Sequence, residues 1–477
     1  MKRASGVLLH ISSLWGDYSE GSLGKAAKEW IDCLAESKFT YWQILPFCLP
    51  DEYNSPYKSY SAFSGNPYFI DLEALLSKGL ITEEELRAAK QKSPHLCEFD
   101  RLNAERINLL KKASERFFEL DKMEAFFEKF PHTESFCKFM ALKEANGMKE
   151  WYEWTVDKYD EKVLFQWKFI QYSVFTQWLE IKEYANSRGV KIIGDIPIYV
   201  ALDSSDVWAQ PGQFQLDKRN QPTSVAGVPP DYFSEDGQLW GNPLYNWKLM
   251  KKDGYTWWRE RMKFMCELFD GVRIDHFRAL ESYFSIPAGE KTAKNGKWVK
   301  GPGMGLIKEL KKICGEKLII AEDLGDITPE VYKLVCDSGF PGMRVLQFGL
   351  LGDNNSTHLP HNYSNNCVAY TGTHDNNTLL GYVWELSKSD RQRFLDYFGY
   401  ESANWDNCYD TVIRSMLASH AGLVIFPVQD LLKYGRDTRL NTPGSSKDNW
   451  AFRITREQFM DIDREKLRIW NEVYGRA

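Results

Sequence analysis

Short apolar runs recur along the chain, and they predict buried strands. Eight runs of five or six residues are rich in aliphatic and aromatic side chains, and each is too short for a typical helix. Continuous apolar character without alternation is typical of strands that are buried on both faces of a parallel sheet. Some runs could instead be segments of buried helices, because periodicity alone does not separate the two. The runs cover residues 6–10, 41–45, 190–195, 271–275, 318–322, 344–348, 368–373 and 423–427.

Segments with helical periodicity lie between several of these runs. The clearest amphipathic segments cover residues 25–37, 257–269, 304–314 and 389–398. Strands and helices that alternate along a chain predict a parallel sheet, and eight such units predict a closed barrel. The sequence therefore predicts an α/β protein with a (β/α)8 TIM barrel.

The spacing of the runs is uneven, and the two longest gaps predict insertions at the carboxyl rim. The first gap is rich in charge and helix formers, and Thr82 with Glu85 fits a capping box at a helix start. We expect a helix over 164–187 to lead back into the barrel. The expected boundaries are residues 1–71 and 161–477 for the catalytic barrel, 72–160 for a helical insertion, 201–250 for a substrate loop within the barrel and 452–470 for a closing helix.

Acidic residues stand at or just beyond the carboxyl ends of four runs. These residues are Asp195, Asp275, Glu322 and Asp375. The parallel strands of a barrel present their carboxyl ends at one rim, and barrel enzymes carry their chemistry there. Carboxylates at one rim can supply a nucleophile, a proton donor and a charge stabiliser, which together cleave a glycosidic bond. We expect Asp195 to support the other three rather than to react.

Arg273 and Asp275 are two positions apart in one run, so their side chains share one face of the predicted strand. A neighbouring guanidinium keeps a carboxylate ionised and oriented. An ionised Asp that points at an anomeric carbon is a nucleophile. The alternative is a buried ion pair that only stabilises the barrel.

The other two rim acids each have a catalytic and a structural interpretation. Glu322 ends an otherwise apolar run, so partial burial is expected to raise its pKa, which suits a proton donor that later acts as a base. Asp323 beside it points to the opposite face, where it could cap a helix. Asp375 follows His374, and such a pair can bind adjacent hydroxyls of one sugar. Its alternative is an Asx turn and cap, for which Asp-Asn-Asn-Thr is also suitable.

The loop over 201–250 combines aromatic side chains with glycine, proline and amides. Its aromatic residues are Trp208, Phe214, Tyr232, Phe233, Trp240, Tyr245 and Trp247. Long rim loops often carry function, and flat apolar faces suit a sugar polymer. The alternative is a local mini-core, and we expect some of the seven residues to serve it.

Composition narrows the class of protein. The 477-residue chain, with 43% hydrophobic and 26% charged residues, is typical of a globular protein. A net charge of −6 without a long basic block argues against a nucleic-acid partner, and a run of about 18 apolar residues, as a membrane span requires, is missing. The nine Cys lack zinc or disulfide spacing, and the apolar stretch after Met1-Lys2-Arg3 is short and broken, so we expect a reduced cytoplasmic protein.

Several blocks are similar to those of a known family. Three of them resemble catalytic blocks: Arg-Ile-Asp-His at 273–276, Ala-Glu-Asp-Leu-Gly at 321–325 and Gly-Thr-His-Asp-Asn-Asn at 372–377. The others resemble an entrance segment at 54–57 and 64–68, a substrate loop with Val-Pro-Pro-Asp-Tyr-Phe-Ser at 228–234 and Trp-Gly-Asn-Pro-Leu-Tyr at 240–245, and a C-terminal block at 441–444. Over nearly its whole length the chain thus resembles the amylomaltases, the 4-α-glucanotransferase (disproportionating enzyme) family, glycoside hydrolase family 77.

The resemblance implies roles for individual residues. Asp275 would be the nucleophile, Glu322 the acid/base and Asp375 the transition-state stabiliser. The substrate-binding residues that it implies are Arg273, His374, Asp195, Tyr57, Ser55, Asp231, Phe233, Gln238, Trp240 and Asn441. One departure concerns a second, surface glucan site. Members with such a site often have a Tyr slightly upstream of Ser-Pro-Tyr, and Tyr53 does not align clearly with it.

The predicted function is the transfer of α-1,4-glucan segments between maltooligosaccharides, with glucose as an acceptor, by a retaining double displacement. We expect no cofactor or metal, no nucleic-acid or membrane partner, and a monomer or homodimer. One alternative is a maltodextrin-hydrolysing, α-amylase-like glycosidase, which the carboxylates do not separate from a transferase. Another is a non-catalytic glucan-binding module, against which the full set of acids argues.

Overall fold

A computed structural model describes residues 1–51, 53–230, 235–350, 352–400, 405–445 and 447–477. The strands in chain order are β1 (Ala4–Leu8), β2 (Tyr41–Gln43), β3 (Lys191–Ile196), β4 (Ser224–Val228), β5 (Gln238–Pro243), β6 (Gly271–Ile274), β7 (Ser282–Pro287), β8 (Lys297–Lys300), β9 (Leu318–Ala321), β10 (Gly342–Val345), β11 (Cys367–Tyr370) and β12 (Leu423–Pro427).

A closed barrel of parallel strands forms the centre of the molecule. The strand order around the barrel is β1-β12-β11-β10-β9-β6-β3-β2, and β2 pairs with β1 to close it. Every neighbouring pair in this ring is parallel. Helices lie between successive barrel strands, and each of the eight apolar runs overlaps a barrel strand. The predicted (β/α)8 barrel is therefore confirmed.

One predicted strand is misplaced in part. The run 344–348 was expected to be extended, but β10 ends at Val345 and Leu346–Leu350 is helical. Leu346 and Leu350 are both buried, whereas Phe348 between them is exposed. Burial at positions four apart is the pattern of a helix, so here an apolar run that was too short to classify spans two kinds of structure.

The helices surround the barrel and fill its insertions. Their bounds are Lys25–Glu36, Leu72–Ser77, Glu83–Ala88, Phe99–Arg101, Ile107–Ser114, Leu120–Lys129, Pro131–Ala145, Glu161–Ser187, Ser205–Ala209, Trp247–Lys252, Thr256–Leu268, Met304–Cys314, Pro329–Ser338, Leu346–Leu350, Leu379–Glu385, Lys388–Tyr397, Trp405–Ala418, Val428–Leu431, Arg456–Met460 and Arg464–Val473. Among the described residues, the structure has no helix with the length and apolarity that a membrane span requires.

Capping explains where several helices begin. The capping box at Thr82 is confirmed, because its hydroxyl accepts from the Glu85 N–H and the Glu85 carboxylate accepts from the Thr82 N–H. The single closing helix expected over 452–470 is wrong, since two helices occupy this region. Thr455 caps the first of them and Asp463 caps the second, so a side-chain cap in the middle of the segment starts a new helix.

Between β2 and β3 the chain forms the helices of the expected insertion. Apolar side chains from this region belong to the same core as the barrel. Phe130, for example, stacks on Phe175 of the long helix Glu161–Ser187. The boundaries of a separate insertion subdomain at residues 72–160 stay a prediction.

A second sheet stands on the barrel, and the sequence patterns did not predict it. Its antiparallel strands have the order β5-β4-β7-β8, so the loop over 201–250 contributes two strands and the segment after β6 contributes two more. β5 contains Gly241 and Pro243, which are unusual inside strands. This sheet fixes the position of β5, and with it Gln238 and Trp240, above the barrel.

Candidate functional site

The adjacent strands β3 and β6 bring three charged side chains together at the carboxyl rim. Asp195 on β3 pairs in register with Arg273 on β6. One guanidinium nitrogen of Arg273 donates to both oxygens of Asp195, at 2.9 and 2.7 Å, and another donates to Asp275 Oδ1 at 2.9 Å. Arg273 and Asp195 are buried. Arg273 thus forms ion pairs with both Asp195 and Asp275, and it links the two carboxylates at the rim.

The surroundings of Asp275 change the pKa of its carboxyl group. Burial raises the pKa of Asp275 to about 6, while the charge of Arg273 acts in the opposite direction. Burial also acts to lower the pKa of Arg273, but Asp195 and Asp275 outweigh it, and the pKa of Arg273 lies well above its usual value. The guanidinium is therefore permanently charged, and Asp275 ionises near neutral pH.

Glu322 lies directly after β9 and is held by main-chain donors. Its Oε2 accepts a hydrogen bond of 2.6 Å from the His276 N–H, and its Oε1 accepts one of 2.9 Å from the Leu324 N–H. Burial raises the pKa of Glu322 to about 7, against the charge of Arg273. Burial thus raises the pKa of both carboxyl groups, but only Asp275 has a direct hydrogen bond from the guanidinium of Arg273.

Asp323 points away from this site, as expected from strand alternation, but it does not cap a helix. Its carboxylate accepts from the Met343 N–H at 2.6 Å and from Arg344 at 3.0 Å. The next helix, Pro329–Ser338, is capped by Thr328. Asp323 therefore joins the end of β9 to β10.

The segment after β11 carries His374 and Asp375 to the same rim. His374 Nε2 lies 3.2 Å from Asp375 Oδ2, and Asn441 Nδ2 donates to Asp375 Oδ1 at 2.6 Å. Partial burial alone would raise the pKa of Asp375, but His374 and Asn441 outweigh this effect and lower the pKa to about 2. The cap of helix Leu379–Glu385 is Thr378, so the interpretation of Asp375 as a helix cap is wrong. The Asp375 side chain is 44% exposed, which leaves room for a ligand.

The entrance segment contacts the site through Tyr57. The Tyr57 hydroxyl donates to Asp195 Oδ2 at 2.7 Å, and its ring stacks on His374 with 5.0 Å between centroids. Burial and the charge of Asp195 raise the pKa of Tyr57 well above its usual value, so the phenol stays a donor. Ser55 Oγ accepts from the Tyr57 N–H at 3.3 Å, which places Ser55 in the turn that presents Tyr57.

Two residues at this site were not predicted from the sequence. Trp450 is buried, and its ring centroid lies 5.9 Å from those of both Tyr57 and His374. Arg439 donates to the main-chain carbonyl of Asp375 at 2.6 Å. The sequence offers one indication of either residue, which is its proximity to Asn441 in the C-terminal block. Neither residue belongs to a periodic pattern.

The loop over 201–250 contributes one described aromatic ring to this region. Trp240 lies edge-to-face with His276, at 4.9 Å between centroids, and its Nε1 donates to Gln238 Oε1 at 3.1 Å. Asp231, Tyr232 and Phe233 lie outside the described residues. The mini-core interpretation holds for the remaining four. Phe214 and Tyr245 are buried, Trp208 packs near Phe139 and Trp154, and Trp247 contacts Tyr245.

This arrangement defines a class of enzyme. A closed parallel barrel bears three carboxyl groups at its carboxyl rim, and the pKa is raised in two of them and lowered in the third. Such a set can supply a nucleophile, an acid/base and a charge stabiliser for chemistry at an anomeric carbon. The site therefore has the composition of a carbohydrate-active barrel enzyme.

Comparison with known proteins identifies the family. The family model described as 4-alpha-glucanotransferase, glycoside hydrolase family 77, matches residues 9–458. The 4-alpha-glucanotransferase of Clostridium butyricum is 41% identical, over 98% of this chain and 100% of that protein. That of Streptococcus pneumoniae serotype 4 is 42% identical, over 100% of this chain and 98% of that protein. The amylomaltase from Streptococcus agalactiae in complex with acarbose matches with a TM-score of 0.95 and 36% identity over 100% of both chains. The chain belongs to the 4-alpha-glucanotransferase family.

Proposed function

We propose that the protein transfers α-1,4-glucan segments between maltooligosaccharides by a retaining double displacement. Asp275 attacks the anomeric carbon of the donor while Glu322 protonates the leaving oxygen. Glu322 then acts as a base and deprotonates the 4-hydroxyl of an acceptor sugar, which takes the glycosyl group from Asp275. The family membership supports this activity. The relatives named above are transferases and an amylomaltase, so the hydrolase alternative is not favoured.

The observation that carries the mechanism is the difference between Asp275 and Glu322. Asp275 contacts the guanidinium of Arg273, which favours the carboxylate that a nucleophile needs. Glu322 lacks such a direct contact among the described residues, and burial raises its pKa, which favours a group that gives and recovers a proton. Two carboxyl groups with such different contacts suit the nucleophile and the acid.

The remaining side chains at the rim suit the binding of the reacting sugar. We assign Asp375 to the stabilisation of the positive charge that develops in the transition state, because its lowered pKa keeps it ionised. His374 would bind a neighbouring hydroxyl, and Tyr57 would present its ring to the sugar. Asp195 and Arg273 would orient this group, and Asn441 would hold Asp375 in place.

The loop over 201–250 would bind the incoming glucan. Trp240 offers a partly exposed ring beside His276, one residue from the nucleophile. Gln238 is exposed next to it. Asp231 and Phe233 are assigned to donor and acceptor sites from the family resemblance alone. A glucan held by this loop would exclude water from the glycosyl-enzyme and favour transfer.

The wider setting of the activity is also a proposal. We expect glucose and short maltooligosaccharides as acceptors, maltodextrins and glycogen as sources of donors, and no cofactor. We expect a cytoplasmic monomer or homodimer. All nine cysteines lie within the described ranges and are free thiols, which suits a reducing compartment.

The product set from maltotriose tests the function. A transferase yields glucose together with maltopentaose and longer oligomers, because each transfer lengthens one chain. A hydrolase yields glucose and maltose alone. The matched control is Asp275→Asn, which removes the nucleophile and must abolish both product sets. Glucose and maltose without longer oligomers would replace the proposed transferase by the hydrolase.

A further inference from the structure

His276 adopts an unusual backbone conformation immediately after the nucleophile. Its φ is +48° and its ψ is 47°, in the left-handed region that residues other than glycine rarely occupy. This turn directs the His276 N–H to Glu322 Oε2 at 2.6 Å. The next N–H, of Phe277, donates to the Glu322 carbonyl at 3.1 Å. One strained turn therefore holds both the side chain and the main chain of Glu322.

The His276 ring connects this turn to the loop over 201–250. It lies edge-to-face with Trp240, at 4.9 Å between ring centroids. Its Nε2 atom is shielded from solvent and has no hydrogen-bond partner among the described residues. Burial lowers the pKa of His276 to about 3, so the ring is neutral at working pH. The ring is therefore held by its packing against Trp240 and not by a hydrogen bond from Nε2 to another described residue.

We propose that His276 is a positioning residue that links the acceptor loop to the acid/base. Its main-chain N–H orients Glu322, and its ring packing against Trp240 maintains the left-handed turn. The inference rests on the proposed function. Among the described residues, the charged side chains that act on Glu322 are Arg273, Asp275 and Arg278, and the substitutions below leave all three unchanged.

The positioning of Glu322 by the His276 backbone is tested by comparing His276→Asn with His276→Val. Asn tolerates the left-handed region, whereas a β-branched residue does not. Loss of an N–H donor to a carboxylate raises its pKa. We therefore expect the alkaline limb of the rate profile to move upward in the Val variant, with at least a tenfold fall in kcat, and to stay in place in the Asn variant. His276→Ala replaces the Val variant if the latter does not fold. Equal alkaline limbs and equal kcat in both variants would overturn the positioning role.

The wild-type protein separates these outcomes from a failure of the proposed function. If it hydrolyses maltotriose without transfer, the function fails, while the alkaline limbs of the Asn and Val variants are still read from hydrolysis.

Discussion

Arg273 donates a hydrogen bond of 2.9 Å to Asp275, which lies two residues further along the same chain segment. The guanidinium is itself fixed by two hydrogen bonds to the buried Asp195 on the neighbouring strand. The orientation of Asp275 is therefore set by the register of β3 and β6 and not by a flexible loop. A nucleophile that is held in this way loses little conformational freedom when the substrate binds.

Asp275→Asn should abolish turnover while the fold is kept. The amide is nearly the same size as the carboxylate and can still contact Arg273, but it cannot form the glycosyl-enzyme. We expect a fall of at least about a thousandfold in kcat on maltotriose. The matched control is Asp337→Asn, which changes an exposed acid paired with Lys333 on helix Pro329–Ser338 and should leave kcat unchanged. More than about a tenth of wild-type turnover in the Asp275 variant would reject it as the nucleophile.

Glu322→Gln should be selectively active on a donor whose leaving group needs no proton. Gln cannot protonate the glycosidic oxygen, so kcat on maltotriose should fall by at least about a hundredfold. A maltosyl fluoride should retain much more of its wild-type rate, because fluoride leaves without protonation. The comparison is made with azide as the acceptor, because the second step also needs a base unless the acceptor is already an anion. Equal losses on the two donors would show that Glu322 is not the acid.

The pH dependence of kcat/KM should be bell-shaped. Asp275 must be ionised to attack, so the rate should rise as pH increases through its pKa of about 6. Glu322 must be protonated to act as an acid, so the rate should fall as pH increases through its pKa of about 7. The two limbs belong to the coupled pair. Asp375, with a pKa of about 2, stays ionised throughout and limits neither side. A rate that stays flat to high pH would contradict the assignment of Glu322.

The strands and the rim carboxylates could be predicted because each depends on local sequence. An apolar run that ends in an acid needs no distant partner to be recognised, and Asp195, Asp275 and Glu322 all follow this rule. Alternation along one strand similarly placed Arg273 beside Asp275. These features depend on the period of a strand and on the polarity of a barrel, which are general properties.

The parts that could not be predicted depend on distant contacts. Trp450 packs near Tyr57, although the two residues are far apart in the sequence. The sheet of β4, β5, β7 and β8 joins segments on both sides of β6. The left-handed conformation of His276 also cannot be predicted from residue propensities, because the surrounding packing maintains it. Local patterns thus predict which strands carry the acids but not which side chains support them.

Asp195→Ala should destabilise the fold. It removes one partner of a buried ion pair and leaves Arg273 bound to Asp275 alone. Loss of one member of a buried pair typically costs about 3–5 kcal/mol in the free energy of unfolding, because the remaining charge is under-compensated. Urea unfolding at pH 7 measures the change. The matched control is Asp337→Ala, which breaks an exposed pair with Lys333 and should cost less than about 1 kcal/mol. Similar losses in both variants would mean that Arg273 is satisfied without Asp195.

Trp240→Ala should shift the balance from transfer to hydrolysis. If the ring packs on the incoming sugar, its loss weakens acceptor binding by about 1–3 kcal/mol and admits water to the glycosyl-enzyme. The yields of free glucose and of longer oligomers from maltotriose give the ratio of hydrolysis to transfer. The melting temperature is measured alongside as a check on stability. The matched control is Trp470→Ala in helix Arg464–Val473, which should change stability but not the ratio. If Trp240 only holds β5 in place, the melting temperature falls while the surviving activity keeps the wild-type ratio, and the acceptor role is rejected.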